Sequence, residues 1–491
     1  TSRSNKTKMK LSCPLLALLL LQSPLANHAF VVSPASASVA SPSLVSTTAA
    51  RTTSSTSSAT TRTTSSTILH MATAAVLTSE QSEIPLSSIR GEADRAFRTG
   101  MALEKNGQAR AASAAFHEAA TLFQCYLDCG QEFQHVSSLS REEIPAMLAY
   151  TSVRLAHLSH DALGDAKAAY RLYREACKID PQPSAVCFDG MGTSLEASGM
   201  VEGDGLLEKA AAFYRKAHEM RSDNSVFLFH LAVALERLGE VEESEVLMDR
   251  LRRSELRYSC LVDSWGYVRW HSRKQGITAN LHRGTRDMIQ IALDAAQPLL
   301  AGSTDANNNP INNMVCEFGV ASGRSMRMTQ ELLPLSGIDI HGFDTFTGLP
   351  QAWGNEPAGS YSTGGVVPDM EEQPGNVFFH KGLFGDTIPR FLESQHPDAV
   401  IAYANIDCDL YTSTLDILES MYDRIVPGTV LVFDEYLCHS SWRQDEFRAW
   451  RECCKRFGWH YEYLAFSLGT KQVVVRITSQ LGVGSVSQSQ P

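Results

Sequence analysis

Residues 314–325 read Met-Val-Cys-Glu-Phe-Gly-Val-Ala-Ser-Gly-Arg-Ser, and residues 340–344 read Ile-His-Gly-Phe-Asp. The first four residues after Met314 form a short, mostly apolar run that is typical of a buried strand. Gly319 and Gly323 permit a tight turn with close approach of a ligand, and residues 324–333 have helical spacing. The pattern therefore predicts a strand, a glycine turn, a helix and a second strand that ends at Asp344.

This arrangement suggests a nucleoside ligand. A carboxylate at the end of the second strand, here Asp344, is suited to the two vicinal hydroxyls of a ribose. The turn has two glycines and lacks the three-glycine fingerprint that binds a pyrophosphate, which argues against NAD and FAD. The alternative is an ordinary turn between strand and helix, in which Gly319 and Gly323 serve packing alone.

Acidic residues follow two further predicted strands. Residues 405–411 read Asn-Ile-Asp-Cys-Asp-Leu-Tyr, and residues 430–436 read Val-Leu-Val-Phe-Asp-Glu-Tyr. Because the carboxyl ends of parallel strands share one edge of a sheet, the four carboxylates should converge near the glycine turn. A hard cation such as Mg²⁺ would relieve their repulsion. The alternative is that these acids only cap the helices that follow.

Five motifs occur in the order found in a known family. They lie at residues 317–323, 342–350, 382–387, 407–411 and 433–436. Residues 314–477 thereby resemble the macrocin O-methyltransferase family of S-adenosylmethionine-dependent methyltransferases. The resemblance implies an α/β doubly wound, Rossmann-like methyltransferase domain that transfers a methyl group to a hydroxyl of a sugar or a related small molecule.

The resemblance also implies roles for individual residues. The cofactor-binding set comprises Glu317, Gly319, Ser322, Gly323, Ser325 and Asp344, with Gly382 and Phe384 near the adenine. Asp407, Asp434 and Glu435 would bind a divalent metal, for which Mg²⁺ is expected, and Asp409 would be the catalytic base. Glu435 stands where related enzymes have a second aspartate, which leaves the third metal ligand open. His439 is the alternative base, and Trp353 either stacks on a sugar or holds its own loop in place.

Residues 86–255 show a helical pattern with small residues at recurring positions. The positions in one copy are Gly164, Ala169, Tyr173, Ala176 and Pro181. Their spacing resembles that of tetratricopeptide repeats, in which each helix pair buries its apolar face on its neighbours. We therefore expect an all-α domain that binds a protein partner or self-associates, without a part in the chemistry. A chain starting near Leu256 should then still bind the cofactor. A generic helical domain with alanine-rich packing is the alternative.

The first 79 residues contain no acidic residue. An apolar run at 15–21 after Lys10 is typical of a signal peptide and is too short to span a membrane. Residues 31–75 are rich in Ser, Thr, Ala and Val, with Arg51 and Arg62, as in a transit peptide. Residues 1–80 are thus predicted to be a disordered bipartite presequence that directs the protein to a secondary plastid. A secretory protein with a Ser/Thr-rich linker is the alternative.

Composition excludes some classes of function. The net charge is −11 and no basic stripe is present, which argues against nucleic acid as a substrate. The 11 cysteines include no CxxC pair, which suits neither a zinc site nor a disulfide framework and favours a reducing compartment. No membrane span is expected in the mature chain.

The remaining domain boundaries follow from the pattern of elements. Residues 256–300 join the two parts, and their aromatic residues form either a lid over the site or an anchor between the domains. Residues 301–478 form the methyltransferase domain, which ends in a hairpin whose last strand should run antiparallel. Residues 479–491 are predicted to be a disordered tail. A repeat-based interaction protein with an inactive methyltransferase-like domain is the alternative function, but the glycine turn and the four carboxylates favour an enzyme.

Overall fold

The computed structural model describes residues 86–131, 138–180, 183–198, 205–254, 256–277, 281–304, 307–308, 310–333, 338–370 and 376–480. The predicted presequence at 1–80 and residues 481–491 of the predicted tail lie outside these ranges. Among the described residues, no helix combines the length and the apolar composition that a membrane crossing requires.

The N-terminal part of the described chain is helical, as predicted. Its helices are α1 (Leu86–Lys105), α2 (Ala109–Gln131), α3 (Ser138–Asp161), α4 (Ala166–Ile179), α5 (Ala185–Ala197), α6 (Leu206–Met220), α7 (Ser225–Leu238) and α8 (Val241–Arg252). Each helix packs against the next one in the chain, so the array grows in sequence order. We call α1–α8 the helical region. Its assignment to the tetratricopeptide repeats stays a prediction.

Small residues allow these helices to approach closely. A Cβ at Gly190 of α5 would lie 2.3 Å from the ring of Tyr173, and one at Gly192 would lie 2.4 Å from the ring of Tyr214. The two tyrosines lie on α4 and α6, on either side of α5, and both are buried. Glycine at these two positions is therefore required by the packing of buried rings between adjacent helices.

Two helices connect the helical region to the sheet: α9 (Leu256–Gln275) and α10 (Thr285–Leu300). The Tyr267 hydroxyl lies 2.6 Å from the Tyr463 hydroxyl of the sheet. The Trp265 indole donates a hydrogen bond of 2.7 Å to Glu236 of α7. Trp270 is 56% exposed. Of the two predicted roles for these aromatic residues, the contacts of Trp265 and Tyr267 support anchoring between the two parts of the chain.

The C-terminal part contains a mixed sheet of seven strands. The strands are β3 (Met314–Phe318), β4 (Ile340–Asp344), β5 (Val377–Lys381), β6 (Ile401–Ile406), β7 (Val430–Phe433), β8 (Trp459–Phe466) and β9 (Val473–Gln480), after a small ribbon of β1 (Ser303–Thr304) and β2 (Pro310–Ile311). The order in the sheet is β5-β4-β3-β6-β7-β9-β8. The strands β3 to β7 pair in parallel, whereas β9 is antiparallel to both of its neighbours.

This topology confirms the predicted Rossmann-like methyltransferase fold, including the antiparallel last strand. The helices between the strands are α11 (Arg324–Leu332), α12 (Phe384–Glu393), α13 (Tyr411–Ser420) and α14 (Glu446–Phe457). One boundary differs, because β9 continues to Gln480, two residues beyond the predicted end at 478. Pairing with β8 extends the strand, since Gln480 lies opposite Trp459.

The sheet has a hydrophobic core on each face. Along β3, Met314, Cys316 and Phe318 belong to one core and Val315 to the other, as the twofold period of a strand requires. The second core continues without a break into the helical region, since it includes Leu158 of α3 together with α10 and the sheet. The two parts of the chain therefore share buried apolar surface.

Candidate active site

A cavity of about 880 Å³ opens at the carboxyl ends of the parallel strands. The segments that follow β3, β4, β5, β6 and β7 contribute to its wall, and so does the turn between β8 and β9. Four predicted acidic residues line it: Asp407, Asp409, Asp434 and Glu435. The parallel strands thus bring together carboxylates that are distant in the sequence, as predicted from the motifs.

Gly319 allows two strand ends to touch at the floor of this cavity. Its φ is 92°, and a Cβ on it would lie 1.6 Å from the carbonyl oxygen of Asp407. Its N–H donates to the Phe343 carbonyl at 2.9 Å. Only glycine combines this left-handed conformation with so close an approach, so Gly319 is indispensable to the turn whatever it binds.

Asp344 organises the glycine turn as well as facing the cavity. Its Oδ2 accepts hydrogen bonds from the N–H groups of Val320 and Ala321, at 2.8 and 2.7 Å. Its Oδ1 accepts one from the N–H of Phe346 at 2.7 Å. A carboxylate offers about four lone-pair sites, so one site remains, on Oδ1. Asp344 can accept one ribose hydroxyl, where the sequence suggested two.

Glu317 and Ser325 lie beneath the turn. The Ser325 hydroxyl donates to Glu317 Oε1 at 2.8 Å, and Asn405 Nδ2 lies 3.5 Å from Glu317 Oε2. Burial raises the pKa of Glu317 to about 8. Through these contacts Glu317 connects β3 to α11 and to β6. Among the described residues, neither Glu317 nor Ser325 lines the cavity. The arrangement places them where they support the turn.

The other predicted cofactor residues divide into two groups. Gly382 and Phe384 line the cavity at the end of β5, where Phe384 packs edge-on against Phe318 with ring centroids 5.8 Å apart. Ser322 and Gly323 lie on the outer side of the turn, and a Cβ on Gly323 would be 3.0 Å from Pro368. The structure therefore brings Gly319, Asp344, Gly382 and Phe384 to the cavity.

The acids at the ends of β6 and β7 are crowded. Burial, and then Asp434 and Asp409, raise the pKa of Asp407, and burial raises that of Asp434. Burial and Asp434 raise the pKa of Asp409 to about 7. Asp409 is also held at φ 61°, a left-handed conformation that non-glycine residues seldom adopt. Such strain is typical of functional sites.

Two residues at the β8–β9 turn, which the sequence motifs did not indicate, contact these acids. The Lys471 ammonium donates to both oxygens of Glu435, at 2.9 and 2.8 Å, and the Gln472 amide donates to Asp434. Although burial opposes the charged form, Glu435 and Asp434 raise the pKa of Lys471. The register of β7 and β9, with Phe433 opposite Val473, places these residues side by side.

The predicted metal ligands do not form a three-carboxylate site in this arrangement. Lys471 engages both oxygens of Glu435, and within the described residues no group of three His, Cys, Asp or Glu side chains is placed to hold an ion. Asp407 and Asp434 remain as partly buried carboxylates at the cavity. The donor set that the resemblance implied therefore lacks its third member, and Glu435 is instead part of an ion pair.

His439 and Trp353 form the wall opposite the glycine turn. His439 Nε2 lies 2.7 Å from the Glu435 carbonyl, which can only accept, so this nitrogen carries the proton. Burial lowers the pKa of His439 to about 4. The Trp353 indole donates to Asp445 at 2.9 Å, and its ring lies 5.2 Å from that of His439. Trp353 therefore holds its loop in place, which is one of the two roles predicted for it.

The neighbour of Asp409 in sequence has a packing role. Cys408 is buried, and its Sγ lies 3.4 Å from the Thr414 hydroxyl of α13.

Glu446, which opens α14, is fully buried behind the acidic cluster. Burial, and then the charge of Asp409, raise the pKa of Glu446 well above the ordinary value.

Comparison with known proteins relates this site to a family. Residues 369–456 match the family model described as Macrocin-O-methyltransferase (TylF). Among solved structures, the chain is similar to the calicheamicin methyltransferase CalS11, at 21% identity over 48% of this chain and 92% of that one, with a TM-score of 0.30. It is also similar to the O-methyltransferase NovP, at 20% identity over 40% of this chain and 81% of that one, with a TM-score of 0.28.

No curated protein sequence matches the chain. The family match covers β5, α12, β6, α13, β7 and most of α14, and it includes the acids that follow β6 and β7: Asp407, Asp409, Asp434 and Glu435. It confirms, over residues 369–456, the resemblance that the motifs indicated.

Proposed function

We propose that the chain is an S-adenosylmethionine-dependent O-methyltransferase that acts on a hydroxyl of a sugar or of a related small molecule. One observation carries the proposal. A single cavity joins the glycine turn and Asp344 on one side to a buried carboxylate, Asp409, whose pKa is close to neutral, on the other. A hydroxyl acceptor needs such a group to remove its proton.

The cavity residues fit S-adenosylmethionine. Gly319 leaves no side chain between the ligand and the strand ends, the free lone pair of Asp344 can accept a ribose hydroxyl, and Phe384 offers an aromatic edge to an adenine. The bound cofactor supplies a methyl group on a positively charged sulfur. The chain's own task is to hold an acceptor oxygen in line with that methyl group and to exclude competing water.

Asp409 is the proposed base. At its pKa of about 7, the carboxylate is substantially ionised at neutral pH and is basic enough to take a hydroxyl proton as the oxygen–methyl bond forms. His439 is less suited, because burial lowers its pKa to about 4 and makes it a weaker base than Asp409. The products are a methyl ether, S-adenosylhomocysteine and a proton on Asp409.

The divalent ion predicted from the sequence stays a prediction. Asp407 and Asp434 have the chemistry that Mg²⁺ prefers, and a cation would relieve their repulsion. Lys471 already supplies one positive charge to the cluster through Glu435. No step of the proposed reaction passes through a metal, and titration with Mg²⁺ measures whether Asp407 and Asp434 bind one.

The charge of the cavity supports an acceptor that is neutral or cationic. Besides the acids of the strand ends, Glu356, Asp386 and Asp416 line its wall, and Lys471 is the one Lys or Arg among the described lining residues. That ammonium is already paired with Glu435. A phosphate or diphosphate on the acceptor would face uncompensated carboxylates at this wall. We therefore propose a free or glycosidic sugar hydroxyl in preference to a nucleotide sugar.

Isothermal titration with S-adenosylmethionine, with and without Mg²⁺, tests the cofactor. We expect saturable binding of one equivalent, and no binding in either condition would refute the proposal. Transfer of labelled methyl groups to matched pairs of acceptors, a neutral glycoside and the corresponding nucleotide sugar, tests the acceptor. Preference for the nucleotide sugar would contradict the charge argument.

The expectations for the N-terminal segment and the helical region stay proposals as well. We propose that residues 1–80 direct the protein to a plastid, supported by the absence of acidic residues before Glu80. A fluorescent reporter fused to these residues should enter the plastid, whereas secretion would contradict this. A protein partner or self-association through the helical region can be tested by light scattering of the purified chain.

A further inference from the structure

The helical region directly touches the glycine turn at residues 319–323, which we call the cofactor turn from here on. The short loop between α1 and α2 contains Gly107, and a Cβ at this position would lie 2.9 Å from Ser322 Oγ and 3.0 Å from Arg324 Cβ. Arg327 of α11 donates to the carbonyls of Asn106 and Ser322, at 3.3 and 2.7 Å. The outer side of the turn therefore rests on a loop that lies more than 200 residues earlier in the chain.

Asp161 joins three parts of the molecule. It is the last residue of α3, and its Oδ1 accepts a hydrogen bond of 2.5 Å from the N–H of Thr285, which begins α10. Its Oδ2 accepts one from the guanidinium of Arg324, the first residue of α11 after the glycine turn. One carboxylate thus fixes the end of a helix of the helical region, the start of the connecting helix and the exit of the cofactor turn.

Burial makes this junction costly to disturb. Asp161 is 1% exposed, and the loop before α10 presses on it, since a Cβ at Gly284 would lie 2.8 Å from Asp161 Cα. Without the Asp161 carboxylate, the Arg324 guanidinium, whose side chain is 28% exposed, loses the acceptor that holds it against the end of α3, and the start of α11 loses that attachment. Arg324 would then have to move, and Gly323 and Ser322 would move with it.

A second contact holds the same surfaces together at a distance from the turn. Arg110 of α2 pairs with Glu331 near the end of α11, with Nε 2.8 Å from Oε1. Arg286 of α10 donates to the same carboxylate at 2.6 Å. Together with the hydrophobic core shared by α3, α10 and the sheet, these contacts leave α11 fixed along its length against the helical region.

We infer that the helical region positions the cofactor turn, with Asp161 acting as a positioning residue through Arg324 and with Gly107 as the surface on which the turn rests. This inference depends on the proposed function for the identity of the ligand. It reverses the expectation from the sequence that a chain starting near Leu256 would keep its cofactor affinity. The helical region has a part in the methyltransferase site even though it contributes no residue to the cavity wall in the described chain.

Titration of the full chain with S-adenosylhomocysteine tests the inference. Gly107→Ala should weaken binding by about tenfold or more, equivalent to 1.4 kcal/mol, because the added methyl group pushes on Ser322 and Arg324. The matched control is Gly239→Ala. Gly239 has φ 87°, close to the 71° of Gly107, but nothing lies within 4 Å of its added Cβ. Both variants acquire similar backbone strain, and only one displaces the turn.

Asp161→Asn provides an independent variant if Gly107→Ala does not fold. It should also weaken binding about tenfold, whereas Asp165→Asn, which changes a helix cap on Ala168 nearby, should leave the affinity within twofold. Arg324→Lys keeps the positive charge and should give an intermediate loss. All titrations are made well below the melting temperature of each variant, so that unfolding does not contribute to the affinity.

The outcomes separate the two hypotheses. If the wild type does not bind S-adenosylhomocysteine, the proposed function fails. If the wild type binds and Gly107→Ala or Asp161→Asn binds with the affinity of its control, the positioning role is refuted while the proposed function stands. Equal melting temperatures in a variant and its control, with a tenfold difference in affinity, would support positioning over general stabilisation.

Discussion

The crowding of the acids predicts that Asp409→Asn inactivates the protein and stabilises it. Asp409 is 8% exposed, and its pKa is raised from an ordinary 3.8 to about 7. Below pH 3.8 the Asp409 carboxyl is protonated in both the folded and the unfolded state and costs no stability. As the pH rises towards 7, the unfolded chain loses this proton more readily than the folded one, and the free energy of unfolding falls. A pKa difference of this size corresponds to a cost of about 4 kcal/mol at pH 8 and about 1.7 kcal/mol at pH 5.

Asparagine carries no charge and tolerates the φ of 61° at this position. Removal of the charge should therefore raise the free energy of unfolding by up to about 4 kcal/mol at pH 8, and by less than half as much at pH 5. Methyl transfer should fall by about 10²-fold or more, the usual scale for a general base.

Thermal melting of the wild type and the variant at the two pH values measures the effect. Asp416→Asn is the control, since Asp416 lines the same cavity but is exposed to solvent. If Asp409→Asn raises the melting temperature no more than Asp416→Asn does, or raises it equally at both pH values, the carboxylate is not under the repulsion that we derive. Retained methyl transfer would exclude it as the base.

Three further predictions concern the same cavity. Gly319→Ala should abolish S-adenosylmethionine binding, measured by titration, because its Cβ would overlap the Asp407 carbonyl, while Gly239→Ala should bind normally. Lys471→Met should raise the affinity for Mg²⁺, measured calorimetrically, because Glu435 loses its ammonium partner; an unchanged affinity would show that Glu435 is not available to a metal. Activity should be lost in EDTA and restored by Mg²⁺ if the metal prediction holds, and full activity in EDTA would contradict that prediction.

The sequence predicted the sheet well because local signals and topology agree there. Four of the parallel strands are short apolar runs that end at or just before a glycine or an acid, and the predicted runs match β3, β4, β6 and β7 closely. The convergence of Asp407 and Asp434 followed from the rule that parallel strands end at one edge. The antiparallel β9 followed from the short turn before it, which leaves no room for a crossover.

The contacts of the site were less predictable, because they depend on residues far apart in sequence. Lys471 belongs to none of the sequence motifs. The predicted antiparallel pairing nevertheless places the residues just before β9 beside those just after β7, and Lys471 contacts Glu435 there. The bond between Ser325 and Glu317 could not be read from spacing, since either side chain could have faced the cavity. Nothing in the sequence indicated that Asp161 would meet Arg324.

The core shared between the helical region and the sheet has a consequence for synthesis of the chain. Helix α10, whose Ala292 and Ala296 belong to this core, leaves the ribosome well before the strands on which it packs, which include β7 and β9. At ordinary rates of translation these partners follow on the order of tens of seconds later. The apolar face of α10 that packs on the sheet is therefore exposed throughout that interval, and chaperones that bind nascent chains should associate with it until β9 completes the sheet.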